Sequence, residues 1–137
     1  MEMSQEASQI RIVEAWHEAL NSRDIDRLVS LSHKDIEIGG PRGIARGTKV
    51  LQEWVDRANI RLEPLRVFYQ DDTLVVQQAA QWRSAETEEV IGSQTVASVF
   101  VVGEDQVTSV SRYDDLTNAL QMANLDDSQE VQRHTSY

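Results

Sequence analysis

Arg112 and Asp114 stand two residues apart, with Val110 two residues before them, in the run Val107-Thr108-Ser109-Val110-Ser111-Arg112-Tyr113-Asp114. A run this rich in β-branched and aromatic residues reads as a strand, and side chains along a strand alternate between its two faces. Arg112 and Asp114 therefore share a face with the apolar Val110. A guanidinium in that setting can anchor a carboxylate or carbonyl oxygen through its planar fork of donors. A carboxylate beside it can serve as a general base or orient the group that does. Two plainer readings stand next to this one: the pair satisfies itself along the strand, or Asp114 caps a following helix, as Asp115 also can. Leaving a buried guanidinium unpaired costs on the order of several kcal/mol, so Arg112 needs Asp114, Gln78 or a ligand oxygen.

The strand that carries them is the second arm of a hairpin over residues 90 to 115, turned at Gly103 to Gln106. Strand-like runs at residues 65 to 69, 73 to 83, 91 to 102 and 107 to 114 are separated by Asp71-Asp72, by the acidic stretch Ala85 to Glu89 and by Gly103 to Asp105. They predict an antiparallel meander. Upstream, Ile10, Val13, Trp16 and Leu20 repeat at helical spacing after a polar start at residues 1 to 7. Asp24 is placed to cap a second helix from Ile25 to Ser32, and a third begins near Thr48 with Leu51, Trp54, Val55 and Ala58 on one side. Between them Ile36-Glu37-Ile38 reads as a short strand, and the glycines and proline of residues 39 to 43 as a loop. A last short helix carries Leu116, Ala119, Leu120 and Ala123. Helices first and strands afterwards predict an α+β domain over residues 1–125, followed by a flexible polar tail over 126–137.

Alternation then selects the residues around Arg112. Leu74, Val76, Gln78, Ala80 and Trp82 share the more apolar face of one strand, and Thr95, Ala97, Val99 and Val101 are read as the matching face of the next. With Trp16 above and Val110, Arg112 and Asp114 below, the inferred cavity is apolar with a few convergent polar groups, the usual character of a small-molecule site. His33, at the expected end of the second helix, either meets the last carbonyls there or faces the pocket mouth. The remaining alternate residues, from Val75 to Arg83, from Gln94 to Phe100 and from Val107 to Tyr113, form an outer face on which only Arg83 is charged. So large an uncharged surface predicts a homodimer through the outer sheet face.

Two apparent motifs fail on spacing. His17-Glu18-Ala19-Leu20-Asn21 lacks the second histidine of a zinc protease motif, and Gly47-Thr48-Lys49 is in the wrong order for a phosphate-binding loop. No metal and no cofactor is expected.

The run Ala19-Leu20-Asn21-Ser22-Arg23-Asp24-Ile25-Asp26-Arg27-Leu28, then Asp35-Ile36-Glu37-Ile38, Gly47 through Trp54 and Val107 to Asp115 resembles the SnoaL-like branch of the nuclear transport factor 2 superfamily. The resemblance spans roughly residues 8 to 125. It implies a cone-shaped curved sheet, the NTF2-like (cystatin-like) fold, with a pocket under the first helices and frequently a dimer. The superfamily includes isomerases, cyclases, hydrolases, dehydratases and binding modules, so fold alone does not name an activity. The resemblance also tests two mechanisms. The positions matching the tyrosine, the base and the protonated acid of the ketosteroid isomerases carry Trp16, Gly40 and Ala97, and that proton shuttle is absent. The position matching the epoxide hydrolase aspartate carries Arg112.

With 137 residues, 40% hydrophobic and 26% charged, the chain supports one core. Its 13 basic against 23 acidic residues give a net charge of -10, which repels nucleic-acid backbones and anionic membranes. The absence of cysteine excludes disulfides and thiolate metal sites, and no leading apolar stretch reads as a signal or span, which predicts a cytoplasmic address. The function expected is binding of a small, partly apolar organic molecule in the cone, with acid-base chemistry on a carbonyl compound as the reaction that suits it. The alternative is a non-catalytic dimerising module whose cavity is filled by side chains.

Overall fold

The computed structural model describes residues 4–40, 43–84 and 86–131. Helix α1, Gln5–Ser22, starts where the Ser4 hydroxyl accepts from the Ala7 N–H at 3.1 Å and stops at Arg23, whose left-handed backbone ends the helical ladder. Its apolar stripe buries Val13, Trp16, Ala19 and Leu20. Asp24 caps α2, Ile25–Ser30, by accepting from the Arg27 N–H. Helix α3, Thr48–Ala58, follows Gly47, whose φ of 105° only glycine adopts freely, and turns Leu51 and Val55 inward.

The sheet has six strands in the order β2-β1-β6-β5-β4-β3. They are β1 (Ser32–Gly40), β2 (Gly43–Arg46), β3 (Ile60–Gln70), β4 (Thr73–Arg83), β5 (Val90–Gly103) and β6 (Gln106–Tyr113). Strands β3 to β6 form the expected meander, and β1 joins it parallel to β6, so the sheet is mixed. Strand β1 is longer than its Ile36-Glu37-Ile38 core and takes in Gly39 and Gly40, expected in the loop, and residues 43 to 46 pair with it as β2. Gly39 permits the close approach of β1 to β6, since a Cβ there would lie 2.7 Å from the Ser111 hydroxyl oxygen.

The two sheet faces are covered by different elements. On the inner face Leu62, Leu74, Val76, Ala80, Phe100 and Val110 pack with Val13, Trp16 and Leu20 of α1 and with Leu51 and Val55 of α3. On the outer face Phe68, Val75 and Ala97 pack against α4, Leu116–Ala123, which Asp115 caps by accepting from the Asn118 N–H at 2.8 Å.

The register corrects the reading of β5. Val76 faces Ser98 and Gln78 faces Val96 across the β4–β5 ladder, so Val96, Ser98 and Phe100 point inward, and Thr95, Ala97 and Val99 point outward. Phe100 is fully buried between the rings of Trp16 and His17, with centroids at 5.3 and 5.2 Å, and belongs to no outer interface. The strand misleads because both its faces are apolar, Ala97 under α4 and Phe100 under α1, so its composition lacks the contrast that marks an inner side.

A second correction concerns the tail. Residues 126 to 131 dock on β3: Asp126 caps a short 3-10 turn, Asp127–Gln129, Glu130 bridges to Phe68, and Val131 donates its N–H to the Val67 carbonyl at 2.7 Å. Arg66 grips Glu130 with two nitrogens at 2.9 and 2.7 Å. The rest of the expected tail, 132–137, lies outside the described residues.

Candidate functional site

Between α1, α3 and the inner face lies a cavity of about 410 Å³, within the size range of small-molecule sites. Trp16 reaches it from α1, Trp54 and Arg57 from α3, Leu62 from β3, Ser98 from β5, and Val110 and Arg112 from β6. Ile38, Gly39, Gly40 and Gly43 of the β1–β2 hairpin form its rim. The indole N–H of Trp16 is satisfied elsewhere, donating to the Ser32 hydroxyl at 3.1 Å, which in turn donates to the Leu28 carbonyl. Its ring is therefore available as apolar wall.

The polar groups come in two kinds. Among the described residues, neither the Arg57 nor the Arg112 side chain makes a hydrogen bond or an ion pair, so two guanidinium groups line one largely apolar recess in a chain of net charge -10. Ser98 stands opposite Arg112 in the β5–β6 ladder, on the same inner face. It belongs to a buried relay: the Ser98 hydroxyl donates to Gln78 Oε1 at 2.8 Å, and the Gln78 amide nitrogen meets His17 Nε2 at 2.8 Å. His17 Nδ1 meets the Val13 carbonyl at 2.7 Å. All three side chains are at most 2% exposed.

The expected site residues divide sharply. Trp16, Val110 and Arg112 line the cavity, and Gln78 lies one hydrogen bond behind it through Ser98. Trp82 packs half-buried against the inner core, its ring beside Gly92, and does not line the cavity. Thr95, Ala97 and Val99 are on the opposite face, as the register dictates. His33 is the second residue of β1 rather than the end of a helix; its Nδ1 accepts from the Asp35 N–H at 3.0 Å, and the ring lines an outer groove with Glu37 and Arg46. Asp114 is exposed and lines an adjoining recess with Asn118 and Met122 beside α4, which Arg112 also borders, and it forms no ion pair with Arg112. The strand ends at Tyr113, so the alternation that placed Asp114 beside Arg112 no longer applies there.

Sequence reading missed Ser98, Arg57 and the role of Trp54. Arg57 lies three residues after Trp54 on α3, a spacing that puts both on one side of a helix and was available as a signal. Ser98 was hidden by the inverted β5. Among the described residues no group of three or more His, Asp or Glu side chains could hold a metal ion, and no helix is long and apolar enough to cross a membrane.

Comparison with solved structures finds this architecture repeatedly. An NTF2-like protein from Burkholderia xenovorans is 25% identical, with 89% of this chain and 98% of that one aligned and a TM-score of 0.66. TerC, crystallised with polyporic acid, is 20% identical over 84% of this chain and 96% of its own, with a TM-score of 0.69. An LEH-like epoxide hydrolase from M. tuberculosis is 18% identical over 84% and 88%, with a TM-score of 0.67. No curated protein matches the sequence. The model of the SnoaL-like domain matches residues 13–110, well over half of the chain, and ends within β6 two residues before Arg112. The chain therefore belongs to the SnoaL-like domain family, on an NTF2-like fold.

Proposed function

We propose that the protein binds a small, partly apolar organic anion in the inner cavity, with Arg112 as its anchor and Trp16, Trp54 and Leu62 as its walls. The observation that carries this is the pair of guanidinium groups facing an apolar recess with no partner among the described residues. A planar carboxylate or enolate oxygen satisfies Arg112 bidentately, and the rings bury the rest of the molecule. Among the described lining residues there is no carboxylate or imidazole, so a base at Asp114 is not part of the proposal. What the site offers a bound carbonyl compound is polarisation by a fixed cation beside it.

The test is a titration with 2-naphthoate followed through the tryptophans. Arg112→Met is expected to weaken binding at least about tenfold, the loss of one charge-assisted contact. Equal affinity in wild type and variant overturns the anchor, and no binding by wild type overturns the proposal.

The outer face supports a second element of the reading, a homodimer. The strip of Gln77, Ala79, Gln81, Ser93 and Thr95 carries no charge, and these residues are not part of the cluster under α4. Ala79→Glu places a carboxylate at its centre and is expected to split the dimer in sedimentation. A wild type that sediments as a monomer at micromolar concentration removes this element.

A further inference from the structure

The relay behind the cavity has a direction, and the direction specifies the ligand. A backbone carbonyl only accepts, so the contact of His17 Nδ1 with the Val13 carbonyl at 2.7 Å requires the proton on Nδ1. With the proton on Nδ1, Nε2 of the neutral ring is a lone pair, which fits the amide nitrogen that stands against it. A lone pair at 2.8 Å must be met by the NH2 end of Gln78, since the reverse orientation would set carbonyl oxygen against ring nitrogen. Gln78 Oε1 is thereby turned to Ser98 at 2.8 Å and, being an acceptor, takes the hydroxyl proton. Ser98 has one proton, and it is committed. Only its oxygen lone pairs remain for the cavity that it lines.

We infer that Ser98 is a specificity-determining residue that acts as a hydrogen-bond acceptor, so that the ligand is a hydroxylated aromatic or apolar acid: its anionic oxygen goes to Arg112 and a hydroxyl on the same molecule donates to Ser98. The two protein groups are directly paired across the β5–β6 ladder on one face, so one small molecule spans both. The inference rests on the Arg112 anchor proposed above. Gln78 is a positioning residue, fully buried and without contact to the cavity, whose orientation is fixed from behind by His17. The relay discriminates against ligands with an acceptor in place of the hydroxyl, because two facing lone pairs repel and the Ser98 proton cannot turn without stranding Gln78 Oε1.

The experiment compares three probes in the full chain: 4-hydroxy-2-naphthoate, whose hydroxyl is too far from its own carboxylate to bond to it, 2-naphthoate and 4-methoxy-2-naphthoate. Wild type is expected to bind the hydroxylated probe about tenfold more tightly than the other two, one hydrogen bond's worth of discrimination. Ser98→Ala is expected to bind all three alike. Gln78→Met frees the Ser98 proton and is expected to raise affinity for the methoxy probe relative to wild type, a change that a merely structural role would not produce. If wild type binds the three equally and Arg112→Met weakens all three, the anchor stands and the Ser98 inference is overturned. If wild type binds none of them, both are overturned. The wild-type comparison decides the matter even where a variant fails to fold.

Discussion

The two faces of the sheet are packed by opposite means. The outer face is covered over Phe68, Val75 and Ala97 by a helix of eight residues, and the small side chains Ala97 and Ala119 allow α4 to lie close on Phe68 and Val75. The inner face is covered by α1 and α3, whose large rings Trp16 and Trp54 stand between helix and strand, and a cavity of about 410 Å³ remains among them. The inner face also buries polar groups, His17, Gln78 and Ser98, each satisfied by the next. Dry contact between small residues leaves no room for a ligand, whereas rings standing off a sheet leave space and a satisfied polar relay keeps it structured. The outer face therefore contributes cohesion and the inner face contributes the site.

Breaking both faces together has the largest expected effect. A chain ending at Glu89 loses β5 and β6, which lie at the centre of the sheet order, and with them α4. It should show no cooperative transition in urea; a sharp transition would mean that the helices and first strands form a unit by themselves. Next in size, Phe100→Ala empties a fully buried position between α1 and the sheet and should cost about 3–5 kcal/mol in chemical denaturation. Leu120→Ala, on a half-buried residue of the outer cluster, should cost about 1–2 kcal/mol. Reversal of these two values would end the distinction between the faces.

The docked tail gives a smaller, pH-dependent effect. The hydrogen bond from Arg66, with its positive charge, holds the Glu130 carboxyl below the usual glutamate range. A carboxyl depressed in the folded state contributes stability above its unfolded value and loses it as pH falls through the folded one. The hydrogen-exchange protection of Val131 and of β3, relative to the intrinsic rate at each pH, should therefore fall in the acidic range, and Glu130→Gln should lower it already at neutral pH. Exchange that is the same in both proteins across that range would show that the backbone contacts hold the segment without the ion pair. The smallest stability effect belongs to the site itself. Arg112→Met should shift the denaturation midpoint by less than the equivalent of about 0.5 kcal/mol, because no described group loses a partner. A loss of about 3 kcal/mol would show a partnered guanidinium instead, and would count against the anchor.

Much of this organisation is legible in the chain. The stripe Val13, Trp16, Leu20 declares α1, Asp24 and Asp115 declare their caps, and the breakers at Asp71-Asp72 and Gly103 to Asp105 separate the strands. Strand β4 is read correctly because its neighbours on the inner side, Leu74 and Val76, share their face with the long apolar ring of Trp82. Strand β5 is read inverted because Val96 to Val102 is apolar on both sides, and alternation says which residues share a face but never which face meets the core.

The four helices, the meander strands, their order, the caps at Asp24 and Asp115 and the family to which they add up are legible from the chain, because these depend on local backbone preference and on periodicity within a few residues. Long-range packing alone sets β1 parallel to β6, makes Thr108 the extra residue that lets Val107 and Val110 both face inward, and brings Glu130 to Arg66 across 64 residues. It alone brings Ser98, Arg57 and Arg112 to one cavity from β5, α3 and β6, and leaves Asp114 outside it, in an adjoining recess that Arg112 also borders. Register and long-range pairing are set by the summed packing of surfaces distant in the chain, and no window of sequence contains both partners.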